Sequence, residues 1–474
     1  MPELSVRVRI VLIGLLTAFL GFSYQPRQLS AALEETRRSL KNDQPADAAE
    51  SLKVVLEYEP WHADLWVAAG RYALAGNDDA NAVTYLEAAS KRGLLGVSDW
   101  IALGDAYQAL GNPAQAVHAW KQAIAVGGPA IEPYRRMLAV YQASQDFASI
   151  LETLRYLTLL QPGDGPLYYQ TGLYLAASDP EAAIVYLERA AELDPELASQ
   201  TRKLLGDIHT ALLAEDLAYT LVSSGRSLAS LGEWGLAKEA FQKAAALQPD
   251  YAEAWAFLAE ARQQLGGKEA GYAWGDLSKA LQLNPDSLAV NLLAALYDQR
   301  MGNYDLALSL LKSAVRQEPE NPFVQVELGN VYTHQGDLPN AEQAYRKAVE
   351  LEPEEVSFRR ALVNFLLRHQ IQLRDAALPV ARQAVILAPE NAPALDLLGE
   401  TLFMLGDYYN SRRILEHALR VDPEYAPALM HLGVTMLFLD ESEPARELLE
   451  ASHRLAVDAE TMDQSSRLLQ YYFP

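Results

Sequence analysis

The 474-residue chain contains no cysteine, so disulfide bridges, cysteine-based zinc and iron–sulfur sites and thiol catalysis are excluded. Positive charge is also scarce: 39 lysines and arginines face 62 aspartates and glutamates, which gives a formal net charge of −23. Phosphate backbones repel a chain this acidic, and we therefore expect no nucleic-acid partner. Half of the residues are hydrophobic, which predicts a folded chain rather than a disordered one.

Sequence motifs for catalysis are missing as well. Gly266-Gly267-Lys268 lacks the spacing and the following Ser or Thr of a phosphate-binding loop, and no HExxH, EF-hand or GxSxG motif occurs. The eight histidines are scattered, with no two at ligand spacing on one predicted helix. We therefore expect a non-enzymatic protein without a metal ion or cofactor.

One uncharged apolar run stands near the N-terminus. Residues 10–22 follow Arg7 and Arg9 and form a run of 13 residues, fewer than the roughly 20 of a membrane-spanning helix and within the roughly 7–15 of a signal-peptide core. We interpret residues 1–28 as a signal peptide or a membrane anchor; a helix of the fold itself is the third alternative. This segment alone is expected to contact a membrane.

The segment also predicts a location. An exported or membrane-anchored protein would hold the rest of the chain outside the cytoplasm. Basic residues also follow the apolar run, at Arg27, Arg37, Arg38 and Lys41. Because basic residues flank both sides, an anchored chain that faces the cytoplasm is the alternative.

Prolines recur at a fixed interval along the remaining chain. Pro285, Pro319 and Pro353 are each 34 residues apart, as are Pro389 and Pro423. A period of this length is typical of repeat proteins that stack in one dimension. The chain is therefore expected to be a repeat array rather than three separate globular domains.

Each period is predicted to contain two helices. In residues 322–355, apolar and small residues recur at helical spacing on both sides of Gly336-Asp337, where we expect a turn. Pro353 ends the second helix, because proline disfavours a helical residue before it. The small residue Gly329 would let the two helices approach closely, with Tyr345 filling the space between them.

This pattern resembles the tetratricopeptide repeat family. It consists of a bulky residue, then Leu-Gly, Tyr, Ala, an aromatic residue or Leu, Ala and Pro. The repeat at 97–130 carries most of this pattern: Trp100, Leu103, Gly104, Tyr107, Ala116, Trp120 and Ala123. The resemblance implies an all-α fold, a right-handed α-solenoid (superhelix) of antiparallel helix pairs.

We place twelve repeats along the chain. Five repeats fill 29–197, an extra helix fills 198–217, seven repeats fill 218–459, and 460–474 form a capping helix and tail. The repeats at 252–287 and 356–391 are two residues longer than the period, and we place the additional residues in the turn between their helices. No region of this division is left over for a catalytic domain.

The resemblance also implies a binding surface, because first helices of successive repeats line a concave groove in this family. Asn330 and Asn364 are 34 residues apart and would stack in that groove, where an amide can pair with any peptide bond. Arg300, His334, Arg360 and Arg368 lie near them in register. Together they predict a cationic strip for a carboxylate or an acidic peptide; the alternative is that these side chains are solvated or pair with one another.

Two further groove candidates follow from the same register. Arg37 and Arg71, in the first two repeats, match part of the family's carboxylate-binding arrangement. An apolar patch is predicted on the last two repeats for a partner helix. It comprises Phe403, Met404, Met430, Val434, Leu437 and Phe438. Alternatively, and in our preferred interpretation, the tail with Leu468, Leu469 and Tyr471 folds back and fills this patch.

The sequence therefore predicts a non-catalytic protein–protein interaction scaffold that is exported or membrane-tethered. Peptide or partner segments, including acidic ones, would bind in its concave groove. The alternative is a structural subunit of a multiprotein envelope complex that binds through its convex faces.

Overall fold

The computed structural model describes residues 27–474, and these residues form 26 α-helices and no β-strand. The predicted all-α architecture is therefore confirmed. The predicted signal peptide or anchor lies almost entirely in residues 1–26, outside the described residues, and stays a prediction. The chain divides between Asp216 and Leu217 into two compact units.

The first unit contains helices α1 to α11. In chain order they are Arg27–Lys41, Pro45–Tyr58, Ala63–Ala75, Asp79–Ser90, Val97–Ala109, Pro113–Gly127, Ile131–Ser144, Phe147–Leu160, Gly165–Ala176, Pro180–Leu193 and Pro195–Leu212. Consecutive helices pack against each other, and α1 to α10 form five helix pairs.

The second unit contains helices α12 to α26. In chain order they are Leu217–Ser230, Trp234–Leu247, Ala252–Leu265, Gly267–Leu283, Leu288–Arg300, Tyr304–Gln317, Pro322–His334, Leu338–Leu351, Val356–Arg368, Leu378–Leu387, Ala392–Met404, Tyr408–Val421, Ala426–Phe438, Ser442–Leu455 and Ala459–Tyr472. A π-helical turn, Leu373–Ala377, precedes α21.

Most turns between paired helices place at least one residue in the left-handed region. Gly336 has a φ of +77°, and glycine occupies the corresponding turn in several other repeats. Gln145 and Asp440 adopt a positive φ in the same kind of turn without being glycine. Acidic side chains then start the next helix: Asp337 accepts a hydrogen bond from the backbone N–H of Asn340.

In several repeats, close contact between the two helices depends on a glycine in the first helix. A Cβ added at Gly329 would lie 2.8 Å from the Tyr345 ring, and one at Gly399 would lie 2.5 Å from Leu415. Tyr345 is 5 % exposed and Leu415 is fully buried. The large residue of the second helix therefore fits over the glycine, as the sequence pattern predicts.

First helices of successive repeats also contact each other. In the second unit α14 contacts α16, α16 contacts α18, α18 contacts α20, and the series continues through α22 and α24 to α26. These first helices thus form one continuous layer, and residues one repeat apart on their free faces lie side by side. This layer positions the candidate site.

Three local features differ from the sequence-based expectation. The extra helix begins at Pro195, because Asp194 caps it, and ends at Leu212 rather than 217. In the repeat at 252–287 the additional residues lengthen the second helix instead of the turn, since Gly266 and Gly267 both adopt a positive φ and α15 restarts at once. In the repeat at 356–391 they are shared between the turn and the π-helical turn. The division into blocks of five and seven repeats stays a prediction.

Candidate functional site: the groove of the second unit

Two adjacent cavities lie along the first helices of the second unit. The first, which we call the amide cavity, has a volume of about 480 Å³ and is lined by Asn330, Thr333, His334, Tyr345, Ala361, Asn364, Phe365, Arg368 and His369. The second, which we call the charged cavity, has a volume of about 470 Å³ and is lined mainly by polar residues of α20, α22, α24 and α26. Asn364 and Arg368 line both cavities, so the two form one continuous groove.

Helix α20 supplies three of the predicted site residues to this groove. Arg360, Asn364 and Arg368 follow at intervals of four residues and therefore project from one face of the helix. All three line the charged cavity. The structure thus brings together Arg360, Asn364 and Arg368, which the register of the repeats places on one face.

The two asparagines have different surroundings. The hydroxyl of Tyr345 donates a 2.6 Å hydrogen bond to Oδ1 of Asn330, and Nδ2 of Asn330 donates to Glu327 at 3.2 Å. Asn364 is exposed in the groove, and among the described residues it makes no side-chain hydrogen bond. Asn364 is therefore the amide that is available to a peptide, whereas Asn330 is held by its own repeat.

His334 also lines the amide cavity, and its ring is stacked. The imidazole lies 4.9 Å from the Tyr304 ring at an interplanar angle of 8°, and its Nδ1 is 3.4 Å from the Tyr304 hydroxyl. The ring face that points to Tyr304 is thus covered, and the cavity side remains open to a ligand.

Arg300 departs from the predicted cationic strip. Its guanidinium makes a two-point ion pair with Glu260, at 2.7 and 2.8 Å, and also contacts Gln263. The hydrogen bond to Glu260 raises the pKa of Arg300, and the carboxylate balances its charge. Glu260 on α14, one repeat away, thus balances the charge of Arg300 within the chain, and a ligand contact of Arg300 stays a prediction.

Arg368 is paired through a single hydrogen bond, with a residue more distant in sequence. Its Nη2 donates a 2.8 Å hydrogen bond to Oε1 of Glu460, which lies 92 residues later on the capping helix α26. Arg360 lies half-buried in the charged cavity and forms no ion pair with any residue that the structure describes. Of the three arginines in the predicted strip, Arg360 is therefore the one whose charge is not matched by an ion pair.

The charged cavity also contains three residues that the sequence analysis did not select. Asp396 and Glu400 lie one turn apart on α22, and His431 lies on the neighbouring first helix α24. His431 Nδ1 is 2.8 Å from Asp396 Oδ1, and its Nε2 is 3.9 Å from Glu400 Oε1. The repeat spacing could have identified Asp396. It follows Arg360 by 36 residues, the length of the longer repeat, and therefore occupies the same position in the groove one repeat later.

Burial and charge act in opposite directions on these groups. Burial opposes protonation of His431, but the charges of Asp396 and Glu400 outweigh it and raise the pKa of His431 to about 9. Burial raises the pKa of Glu400, and it raises the pKa of Tyr425 on the cavity wall to about 12. His431 is therefore an imidazolium at neutral pH and is paired with Asp396.

The two arginines predicted in the first two repeats have different surroundings, and a shared site stays a prediction. Arg71 makes a two-point ion pair with Asp99, at 2.6 and 3.0 Å, and the hydrogen bond to Asp99 raises the pKa of Arg71. Asp99 is only 3 % exposed, so Arg71 mainly compensates a buried carboxylate of the next repeat. Arg37 lies exposed on α1.

The predicted apolar patch is divided between three surroundings. Met404 and Met430 form part of the charged cavity. Phe403 and Phe438 form an aromatic cluster with Tyr408, with ring centroids 5.1 to 5.4 Å apart. Leu437 packs into the core between the last repeats. The patch residues thus have three different surroundings, and their role as one docking surface for a partner helix stays a prediction.

The tail contributes polar side chains to the groove. Glu460, Thr461 and Gln464 of α26 line the charged cavity, whereas Tyr471 is 78 % exposed. The preferred interpretation, in which the aromatic tail residue helps to fill the patch, is thus wrong for Tyr471.

Two absences apply to the described residues 27–474 as a whole. No group of three or more histidine, aspartate or glutamate side chains in them is arranged to hold a metal ion. None of the helices described there is both long and apolar enough to cross a membrane.

Comparison with known proteins identifies the class of this fold. Sequence profiles described as tetratricopeptide repeat match residues 34–93, 101–145, 223–286, 292–356 and 392–425, which together make up more than half of the chain. The chain therefore belongs to the tetratricopeptide repeat family. Proteins of this family generally act as scaffolds for protein–protein interaction.

Individual relatives are similar over part of the chain. The human protein O-mannosyl-transferase TMTC3 is 28 % identical over 213 residues, which are 44 % of this chain and 23 % of the relative. The small glutamine-rich tetratricopeptide repeat-containing protein 2 of Mycosarcoma maydis is 30 % identical over 113 residues, 24 % of this chain and 32 % of the relative. The chain thus spans less than a third of the length of either relative.

Among solved structures, yeast Tom70 is similar along nearly the whole chain. The match covers 94 % of this chain and 95 % of Tom70, with 17 % sequence identity and a TM-score of 0.44.

Proposed function

We propose that this protein is a non-catalytic interaction scaffold that binds a peptide or partner segment in the groove of its second unit. The observation that carries the proposal is the pair of connected cavities along the first helices, with the unpaired amide of Asn364 between them. An amide both donates and accepts, so Asn364 can pair with the backbone of an extended peptide whatever its sequence. The helices already hold the groove open, which reduces the cost of ordering on binding.

The groove also fits a peptide better than a small metabolite. Its two cavities are adjacent and share Asn364 and Arg368, so together they offer an elongated surface rather than one closed pocket. Each cavity has both polar and apolar residues in its wall, for example Phe365 in the amide cavity and Met404 in the charged cavity. Such a mixed surface suits the different side chains of an extended segment.

Affinity capture with the full chain tests this proposal. Proteins that co-purify with the wild type should be lost from the Asn330→Ala, Asn364→Ala double variant, and Asn364→Ala alone should account for most of the loss. Gln343→Ala on the second helix α19 is the matched control and should retain them, because Gln343 lies outside both cavities. Absence of any co-purifying protein from the wild type would contradict the scaffold proposal.

The same experiment addresses the alternative, a structural subunit of an envelope complex that binds through its second helices. Exposed apolar residues at the ends of two second helices favour it: Val126 is 56 % exposed and Leu159 is 78 % exposed. Partners that survive the asparagine substitutions but are lost from a Val126→Ser, Leu159→Ser variant would support this alternative.

The proposal includes export or membrane tethering through residues 1–28. It is supported by the basic residues and the short apolar run at 10–22. Mass spectrometry of the mature N-terminus tests it: a start near Tyr24 indicates export, and an intact Met1 in the membrane fraction indicates an anchor. Intact protein in the soluble cytosolic fraction would overturn it.

A further inference from the structure

Four of the charged side chains in the charged cavity form two close ion pairs, and the other two have no close counter-ion in the part of the chain that the structure describes. Arg368 is paired with Glu460 at 2.8 Å, and His431 is paired with Asp396 at 2.8 Å. Arg360 has no ion pair among the described residues, and the ion pair that Glu400 forms there is a long one, 3.9 Å to Nε2 of His431. The cavity therefore contains one cation and one anion whose charges are not matched at hydrogen-bond distance.

These two groups lie on different walls of the same cavity. Arg360 projects from α20, and Glu400 projects from α22, the first helix of the next repeat. Both are partly removed from water: Arg360 is half-buried, and the Glu400 side chain is 31 % exposed. A partly buried charge without a close counter-ion has lost hydration that its surroundings do not replace. A ligand that supplies the missing counter-ion restores it.

We propose that the charged cavity selects a peptide segment that carries both an acidic and a basic side chain, the acidic one bound to Arg360 and the basic one to Glu400. This inference rests on the proposed function of the groove and gives its ligand a chemical class. It replaces the purely acidic peptide expected from the sequence, since Arg300 and Arg368 are already occupied by Glu260 and Glu460. Asn364, which lies between Arg360 and Arg368 on α20, would hold the peptide backbone.

The shape of the cavity is compatible with such a segment. A volume of about 470 Å³ accommodates side chains of a few residues. Met404 and Met430 lie on its wall and provide adaptable apolar contacts for the methylene groups of a lysine or arginine. The imidazolium of His431 prevents Asp396 from competing for the basic group, because Asp396 is already paired.

Selection from a peptide library with complementary charge reversals tests the inference. The full chain is immobilised and used to select from a phage-displayed library of random dodecapeptides. We expect the selected peptides to be enriched in sequences with at least one acidic and one basic residue. Binding of synthetic versions should fall at least tenfold when either residue of the peptide is replaced by alanine.

Charge-reversed variants of the protein then test which charge of the peptide is bound by Arg360 and which by Glu400. Arg360→Glu should weaken the selected peptides at least tenfold and recover binding when the acidic residue of the peptide is changed to lysine. Glu400→Lys should likewise weaken binding, and binding should recover when the basic residue of the peptide is changed to glutamate. Arg382→Glu on α21 and Glu447→Lys on α25 are matched controls, since both residues are exposed on second helices of the same unit, and they should leave binding unchanged.

Each outcome decides one of the two proposals. Selected peptides that bind the groove, are sensitive to Asn364→Ala, and show no requirement for two opposite charges overturn this inference and leave the proposed function intact. Binding that requires the acidic residue alone, with no effect of Glu400→Lys, also overturns it. Selected peptides that are all insensitive to Asn364→Ala, Arg360→Glu and Glu400→Lys contradict the groove as a binding site. Circular dichroism of each variant separates loss of binding from loss of the fold.

Discussion

At the scale of single residues, the turn between paired helices is where backbone conformation restricts residue type. Gly336 adopts a φ of +77°, and a Cβ added there would meet no atom within 4 Å. Substitution at this position therefore tests backbone conformation alone, without a change in packing. Gln145 occupies the same kind of turn with a φ of +55° and bears the cost of a side chain in the left-handed region.

We predict opposite effects for exchanges at these two turns. Gly336→Ala should lower the free energy of unfolding by about 1 kcal/mol, because an L-residue is disfavoured at positive φ. Gln145→Gly should raise it by up to about 1 kcal/mol for the same reason. Urea denaturation followed by circular dichroism measures both; a loss of stability in Gln145→Gly would contradict this explanation.

Protonation of a single residue, His431, makes the stability of the protein depend on pH. Its pKa is about 9 in the folded protein and about 6.5 in an unfolded chain, so the folded state binds the proton more tightly. The stabilisation from the pair with Asp396 is complete below about pH 6.5 and is lost as the pH rises through about 9. The thermal midpoint of the second unit should therefore fall between about pH 7 and pH 10.

His431→Gln is the control for that titration, because its side chain carries no titrating proton. The variant should be less stable than the wild type at about pH 7, and its thermal midpoint should change less between about pH 7 and pH 10. Nuclear magnetic resonance of the imidazole gives the pKa directly, and a value near the ordinary one of about 6.5 would contradict the prediction.

At the scale of helices, a glycine in the first helix determines in several repeats how closely the second helix packs. A Cβ at Gly329 would lie 2.8 Å from the ring atoms of Tyr345, and the ring is rigid and buried. Tyr345 also donates its hydroxyl proton to Asn330, so displacement of the ring would disturb the groove as well. Packing within the repeat and the geometry of the site are thus coupled.

We predict that Gly329→Ala lowers the free energy of unfolding by roughly 1–3 kcal/mol, as overpacking does in well-packed cores. Gly275→Ala is the matched control: Gly275 lies within helix α15, and a Cβ there meets nothing within 4 Å. It should raise stability by about 1 kcal/mol, because alanine favours a helix more than glycine does. Chemical denaturation of both variants measures the difference; equal effects would contradict the proposed contact.

Much of the helical architecture could be predicted from the sequence because its signals are local. The interval between Pro319 and Pro353, the turn at Gly336 and the small residue Gly329 each act within one repeat. The ion-pair partner of each charged side chain could not be predicted in the same way. Arg300 is paired across 40 residues and Arg368 across 92, so their partners depend on how repeats stack.

The candidate site, too, could be predicted only in part from the sequence. Register placed Arg360, Asn364 and Arg368 on one helix face, and the structure has all three in the charged cavity. Register alone did not show that Met404 and Phe403, neighbours in sequence, belong to different surroundings. Side-chain direction separates them, and the apolar patch was predicted from helix positions without it.

At the scale of the whole molecule, stability is expected to depend on contacts between neighbouring helices. In the second unit the capping helix α26 contacts α25 and α24, and Phe473 packs against the core of the last two repeats. Interactions of this kind stabilise a repeat array through nearest neighbours. Damage at one end should therefore remain mainly local.

We predict that removal of residues 459–474 destabilises the last repeat most. Amide hydrogen exchange should accelerate in α24 and α25, whereas protection of α3 and α4 in the first unit should not change. The substitution Glu460→Gln, which removes only the charge that Arg368 contacts, is the control and should cost less than about 1 kcal/mol because the pair is exposed. Uniform loss of protection along the chain would contradict nearest-neighbour behaviour.

The hydrogen bond between Arg368 and Glu460 joins helices that are 92 residues apart in sequence. The two side chains meet because the first helices between them are stacked in one layer and α26 packs at the end of that layer. Glu460, Thr461 and Gln464 of α26 thereby complete the wall of the charged cavity. A chain that is halted during synthesis before α26 would leave Arg368 without this carboxylate and would present an incomplete binding groove.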